Sequence, residues 1–132
     1  MTIDRREFLV QAAASGVSAT VAATSASAQP APTMYGLIGK MTAVAGQRDA
    51  LLAILLESTQ AMPGCLSYVM ATDPADPDAL WITEVWTDAA SHKASLTLPA
   101  VQTAIAKARP LIAGFSNRVE TVPVGGAGLA RP

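Results

Sequence analysis

The apolar positions of the chain change their period along residues 34 to 122, and each change predicts a different element. Residues 34 to 45 alternate loosely and carry β-prone side chains, which predicts a first strand. Residues 47 to 62 repeat apolar side chains at helical spacing, which predicts an amphipathic helix. The predicted apolar face of this helix consists of Leu52, Leu55, Leu56 and Thr59. Its predicted solvent face carries Arg48, Asp49 and Glu57.

Two β-rich runs with a Pro-rich and Asp-rich turn between them predict a hairpin. The first covers residues 65 to 73 and the second residues 79 to 88, with "PADPD" at 74 to 78 as the turn. Side chains alternate between the two faces of a strand. In the second run, one face would carry Trp81, Thr83 and Val85, and the other Ile82, Glu84 and Trp86.

The last part of the region predicts two short helices and a closing strand. Asp88 is placed to cap the helix "AASHKASL", and Pro99 suits the first turn of a helix that ends near Arg109. That second helix would pack one apolar face on the sheet, made of Leu98, Val101, Ile105 and Ala108. A strand over residues 111 to 122 completes the order β-α-β-β-α-β, an α+β ferredoxin-like sandwich. Since helices would cover one face of such a sheet only, we expect a homodimer that covers the other.

The first 28 residues predict an export signal. Arg5 and Arg6 precede Phe8 and Leu9 within "DRREFLV", as in a twin-arginine signal read by the twin-arginine translocase. An Ala-rich and Ser-rich run follows and ends in "SASAQP", which predicts cleavage after Ala28 and a periplasmic or other extracytoplasmic protein. An uncleaved anchor or an N-terminal core helix is the alternative, but the run is weakly hydrophobic for a stable membrane anchor. Residues 29 to 33 then form a short leader, and residues 123 to 132 a flexible Gly-rich tail.

Composition and single residues exclude several classes of function. The 132-residue chain is 51% hydrophobic and 14% charged with a net charge of −1, and its basic residues are scattered, so no nucleic-acid partner is expected. Cys65 is the single cysteine, which rules out an internal disulfide; it is a buried small side chain or, alternatively, an intermolecular or reactive thiol. His92 is the single histidine, so no metal site is expected.

Several short pieces together resemble the antibiotic biosynthesis monooxygenase (ABM) family, in particular its quinol-monooxygenase-like members. They are the Glu84-x-Trp86 pair, "SLTLP" at 95 to 99 and "ARPLI" at 108 to 112, and the resemblance runs from about residue 34 to residue 122. It implies a dimeric α+β barrel with a pocket between helices and sheet in each protomer. It also implies oxidation of quinols, anthrones or similar aromatic phenols with O₂, without flavin, haem, metal or any other cofactor.

The resemblance directs attention to five candidate site residues. His92 is the expected catalytic base, one turn before the helix histidine of many family members, whose place is taken here by Ser95. The alternative is a solvated histidine or one that caps a carbonyl. Trp86 and Tyr68 would stack on a flat substrate or simply fill the core. Arg109 would orient a substrate oxygen or cap a helix, and Asn117 would donate a hydrogen bond.

Three hypotheses about function remain open from the sequence. The first is a cofactor-independent monooxygenase that acts on a small apolar aromatic substrate and O₂. The second is a non-catalytic periplasmic protein that binds a small molecule in the same barrel. The third is a purely structural dimer, which would contain no pocket. A buried His92 that faces a pocket favours the first hypothesis over the second.

Overall fold

A computed structural model of the protein describes residues 33–129. The predicted export signal, its cleavage site and all but the last residue of the leader lie outside these residues. The strands are β1 (Tyr35–Ala43), β2 (Cys65–Thr72), β3 (Ala79–Trp86) and β4 (Ile112–Thr121). The helices are α1 (Arg48–Ser58), α2 (Ala89–Ser95) and α3 (Pro99–Ala108), with a short 3₁₀ turn at Arg109–Leu111.

The four strands form one antiparallel sheet in the order β2-β3-β1-β4. The first helix connects β1 to β2, and two helices together connect β3 to β4. This arrangement confirms the predicted α+β ferredoxin-like fold. No helix within residues 33–129 is long and apolar enough to cross a membrane.

The alternation along β3 was predicted correctly and decides which face of the sheet carries the helices. Ile82, Glu84 and Trp86 are buried beneath the helices, whereas Thr83 on the opposite face is exposed. The core on the helix side centres on Met41, Ala43, Leu51, Leu80, Ile82 and Ala108.

The buried face of α1 differs from the prediction. Leu51 is fully buried, while Leu56, which we expected to pack on the sheet, is 51% exposed. The helix also ends at Ser58 rather than near residue 62. Side-chain hydroxyls satisfy two carbonyls at this end: Ser58 Oγ donates to the carbonyl of Leu55 (3.0 Å) and Thr59 Oγ1 to that of Leu56 (3.3 Å).

The prediction that Arg48 faces water is wrong. Its Nη1 donates to the backbone carbonyls of Asp76 (3.0 Å) and Ala79 (3.4 Å) in the turn between β2 and β3. Within this turn, Asp76 Oδ1 also accepts a hydrogen bond from the amide of Asp78 at 2.9 Å. The acidic segment is therefore a hydrogen-bonded hairpin turn that the first residue of α1 holds in place.

The short helix α2 is placed by a cap and by a close contact. Asp88 Oδ1 accepts a hydrogen bond from the amide of Ser91 (2.7 Å), which confirms the predicted N-cap. Gly64, just before β2, lies in the left-handed region (φ 81°), and a Cβ there would come within 2.5 Å of Ser91 Oγ. The absence of a side chain at Gly64 thus lets α2 approach the start of β2.

Candidate active site

A cavity of about 570 Å³ lies on the helix side of the sheet. Its floor is formed by side chains from the sheet, and its walls by all three helices. The lining includes Met41, Tyr68, Ile82, Glu84, Trp86, Ile112 and Phe115 from the strands and Leu55, His92, Ser95, Val101, Ala104, Ile105 and Ala108 from the helices. Most of them are apolar, and the polar ones gather near the C-terminal end of β3. A cavity of this size and composition is typical of a small-molecule site.

Glu84 is the buried charge at this polar region. Its residue is 9% exposed, because the pleat of β3 directs it to the same face as Ile82 and Trp86. Trp86 Nε1 donates to its Oε1 at 3.0 Å. Burial raises the pKa of the Glu84 carboxyl, while the hydrogen bond from Trp86 and the nearby His92 oppose that rise. Glu84 therefore holds its proton to higher pH than an exposed glutamate does.

His92 lies on α2 directly beside this carboxylate. Its Nε2 is 3.8 Å from Glu84 Oε1, within ion-pair distance but beyond hydrogen-bond range. The imidazole packs between two aromatic rings, with centroids 5.0 Å from that of Tyr35 and 5.6 Å from that of Trp86. Only 17% of its side chain is exposed. His92 is thus held against the cavity and is not a solvated surface histidine.

Tyr68 and Trp86 complete the polar region. Tyr68 on β2 is the cross-strand partner of Glu84 on β3, and burial raises the pKa of its hydroxyl, with a smaller contribution from the Glu84 charge. The hydroxyl therefore stays protonated at neutral pH and can donate a hydrogen bond. Trp86 is fully buried yet also lines the cavity, so it belongs to the core and to the cavity wall at once.

Comparison with known proteins identifies the family. The family model described as antibiotic biosynthesis monooxygenase matches residues 34–107, more than half of the chain. The chain belongs to the antibiotic biosynthesis monooxygenase family. A crystal structure from Chloroflexus aurantiacus J-10-fl, provisionally called an antibiotic biosynthesis monooxygenase, is 68% identical. The match covers 74% of this chain and 99% of that one, with a TM-score of 0.72.

More distant structures share the ABM fold. A protein of Pseudomonas aeruginosa is 21% identical over 74% of this chain and all of its own, with a TM-score of 0.64. A protein of Bacteroides thetaiotaomicron VPI-5482, provisionally called an antibiotic biosynthesis monooxygenase, is 15% identical over 74% of this chain and 96% of its own, also with a TM-score of 0.64. A search of curated proteins found no match.

Four of the five candidate residues expected from the sequence meet at the cavity of this ABM domain. Arg109 lies on its wall at the end of α3, where its backbone amide donates to the Ile105 carbonyl and its side chain is exposed. Asn117 is not brought together with the others. It sits in a bulge of β4 with φ 53°, where the register against β1 shifts, and is exposed. The extra residue of the bulge interrupts the alternation of side chains along β4, so Asn117 does not point to the cavity with Phe115.

The prediction of site residues missed Glu84 and Ser95. Glu84 could have been found from its position, since a carboxylate that alternates with Ile82 and Trp86 must be buried with them. Ser95 is also buried, and its Oγ donates to the carbonyl of His92 at 2.6 Å, so it supports the turn of α2 that carries the imidazole. Within residues 33–129, no three His, Cys, Asp or Glu side chains group closely enough to hold a metal ion.

Proposed function

We propose that this ABM domain oxidises a quinol, an anthrone or a similar aromatic phenol with O₂, and that His92 is its catalytic base. The observation that carries the proposal is the pair of Glu84 and His92, 3.8 Å apart, in a cavity lined mostly by apolar side chains. Structural packing alone does not require a buried carboxylate next to an imidazole, because both groups lose hydration there. A site that moves a proton can use such a pair, because the carboxylate stabilises the imidazolium that forms when the histidine accepts a proton.

The reaction balances with the substrate as the sole reductant. A quinol and one O₂ give a hydroxyquinone and one water: one oxygen atom enters the ring, and the other leaves as water with two hydrogen atoms from the substrate. For an anthrone, the same balance converts the methylene to a carbonyl. In both cases the substrate loses four electrons, which are the four that reduce O₂. The protein then has to supply proton transfer, orientation and exclusion of water.

The cavity contains a residue for each of these tasks. Nε2 of His92 takes the phenolic proton, and the adjacent Glu84 carboxylate stabilises the imidazolium that forms. The protonated hydroxyl of Tyr68 donates a hydrogen bond to a substrate oxygen. The apolar remainder of the wall excludes water from the electron-rich anion, and the edge of Trp86 provides an aromatic surface for the ring.

The test is oxygen uptake by the purified, metal-free protein with a panel of naphthoquinols, benzoquinols and anthrones. We expect uptake above the autoxidation rate, and a loss of at least tenfold in kcat/KM for His92→Ala, or about 1.4 kcal/mol of transition-state stabilisation. Lys93→Ala is the matched control, because Lys93 is the next residue of α2 and is exposed outside the cavity wall. Absence of uptake across the whole panel would refute the proposal and favour the non-catalytic binding protein.

A further inference from the structure

The two ends of the cavity differ in chemistry. The end that we call the polar end consists of Tyr68, Glu84, Trp86 and His92. On β3, Leu80 lies four residues before Glu84. Leu80 pairs with Met41 of β1, and Met41 pairs with Phe115 of β4. The end near these residues, which we call the apolar end, consists of Met41, Ile105, Ile112 and Phe115. The buried polar side chains that can bind a phenolic oxygen therefore lie at the polar end, and the apolar end has only the exposed Arg109 nearby.

The distance between the two ends exceeds what a small ring system requires. Four residues of strand span roughly 13 Å. The cavity volume of about 570 Å³ corresponds to roughly 19 water volumes. A quinol of one or two rings placed at the polar end would leave the apolar end filled with water against apolar side chains. Those side chains would then stay hydrated, and their burial would not contribute to the free energy of binding.

Large apolar side chains remain exposed along the wall of this cavity. Phe115 is 72% exposed, Leu96 47% and Ile105 36%, although all three line it. Small side chains of α3, Ala104 and Ala108, keep the middle of the cavity open between the two ends. A ligand with an apolar chain would cover this surface and occupy the open middle section.

We infer that the substrate is a phenol or quinol that carries an apolar alkyl or isoprenoid-like chain. The ring occupies the polar end, and the chain runs across Ile82 and Ala104 to leave the cavity past Phe115. This inference rests on the proposed function for the identity of the ring. The inference about the length and apolar character of the chain rests on the apolar end of the cavity alone.

An anionic chain is the main competing possibility, because Arg109 lies on the wall near the apolar end. Arg109 is exposed, however, and within residues 33–129 it is the one lysine or arginine that lines the cavity. An exposed guanidinium is already hydrated, so an ion pair with a ligand carboxylate would add little to the free energy of binding. The apolar chain is therefore the better match to this wall.

The first experiment measures binding without turnover. Isothermal calorimetry with oxidised benzoquinones whose alkyl chain grows from methyl to decyl should show tighter binding by roughly two- to fourfold for each methylene. The gain should level off once the chain extends past Phe115, and the heat capacity change should become more negative along the series. A carboxyalkyl quinone of matched length should bind more weakly than its alkyl counterpart.

A pair of variants tests the location of the chain. Ile105→Trp places a large ring at the partly exposed end of the cavity and should reduce the preference for decyl over methyl at least tenfold. Leu56→Trp makes the same kind of change on the outside of α1, where the residue is 51% exposed and does not line the cavity, and should leave the preference unchanged. Circular dichroism of each variant shows whether it is folded.

The outcomes separate this inference from the proposed function. Oxygen uptake with short quinols but no dependence of binding on chain length would overturn the inference and leave the monooxygenase proposal intact. A chain-length dependence without oxygen uptake would support the inference about the ligand and refute the proposed reaction. Binding of no alkylquinone, or tighter binding of the carboxyalkyl compound, would overturn the inference.

Discussion

At the scale of single residues, Glu84 is a charged side chain that folding buries on the helix side of the sheet. A carboxylate that is 9% exposed loses most of its hydration, and one hydrogen bond from Trp86 replaces part of it. A glutamine of the same shape would avoid that cost. The charge at this position therefore indicates a function beyond packing, which agrees with the role proposed for it beside His92.

The raised pKa of Glu84 predicts how stability depends on pH. Above the pKa of the unfolded chain (about 4.3) the folded protein binds more protons than the unfolded one, so this group's contribution to the free energy of unfolding falls as pH rises through its folded pKa. Glu84→Gln removes this term. Urea unfolding of both proteins between about pH 4 and pH 8 should show the variant gaining stability relative to wild type as pH rises. A constant difference across that range would contradict the prediction.

Residue-level reasoning from the sequence reached part of this site. The single histidine and the aromatic residues of the hairpin were identified, because residue type alone marks them as candidates. The alternation along β3 also placed Glu84 beside Trp86, yet it could not show that α2 brings His92 to 3.8 Å. Asn117 was misplaced because a bulge with φ 53° leaves no clear signal in the order of side chains.

At the scale of elements, some features depend on neighbouring residues in the sequence, whereas others depend on how an element packs on the sheet. Alternation in β3 and the Asp88 cap depend on neighbouring residues, so the sequence predicted both. The face of α1 depends on how the whole helix docks, and because the helix has apolar residues on several sides, the sequence pattern favoured Leu56 over Leu51. Only packing against the sheet distinguishes the fully buried Leu51 from the half-exposed Leu56.

A pair of alanine substitutions tests this packing in α1. Leu51→Ala removes a fully buried side chain from the core and should cost about 2–5 kcal/mol of the free energy of unfolding. Leu56→Ala, the same change five residues later, should change it by about 0.5 kcal/mol or less. Chemical denaturation measures both. Equal losses would show that the two faces of the helix are packed alike.

A second pair concerns the approach of α2 to β2. Gly64→Ala combines a left-handed backbone with a Cβ only 2.5 Å from Ser91 Oγ, whereas Gly46→Ala has the same kind of backbone (φ 78°) in open space. We expect Gly46→Ala to cost about 1–2 kcal/mol from the backbone alone, and Gly64→Ala to cost more. Thermal unfolding compares the two. A smaller loss for Gly64→Ala would argue against the tight contact with α2.

At the scale of the whole molecule, the sheet has a face that the helices do not cover. One row of paired residues crosses all four strands on this face: Val69, Thr83, Ile38 and Val119. Val69 and Val119 at its ends are 54% and 51% exposed. We propose that a second copy of the chain covers this row, in the homodimer expected from the sequence.

The proposed dimer leads to a prediction about mass. Light scattering with size-exclusion chromatography should give the mass of two chains at micromolar concentration. Val119→Lys places a charge on the row and should weaken association at least tenfold, about 1.4 kcal/mol. Val124→Lys is the control, because Val124 lies after β4 and is 92% exposed. A wild-type protein with the mass of one chain would contradict the proposal.

The two tryptophans of the chain lie on the same strand and face opposite sides of the sheet. Trp86 borders the cavity beside His92, while Trp81 lies on the other face, where its Nε1 donates to Asp73 Oδ2 at 2.9 Å. Indole emission responds to polarity and to nearby quenchers. The unlabelled protein therefore carries one fluorescent reporter for each side of the sheet. In Trp81→Phe the remaining Trp86 emission reports ligand binding in the cavity. In Trp86→Phe the remaining Trp81 emission reports association at the face that the helices do not cover.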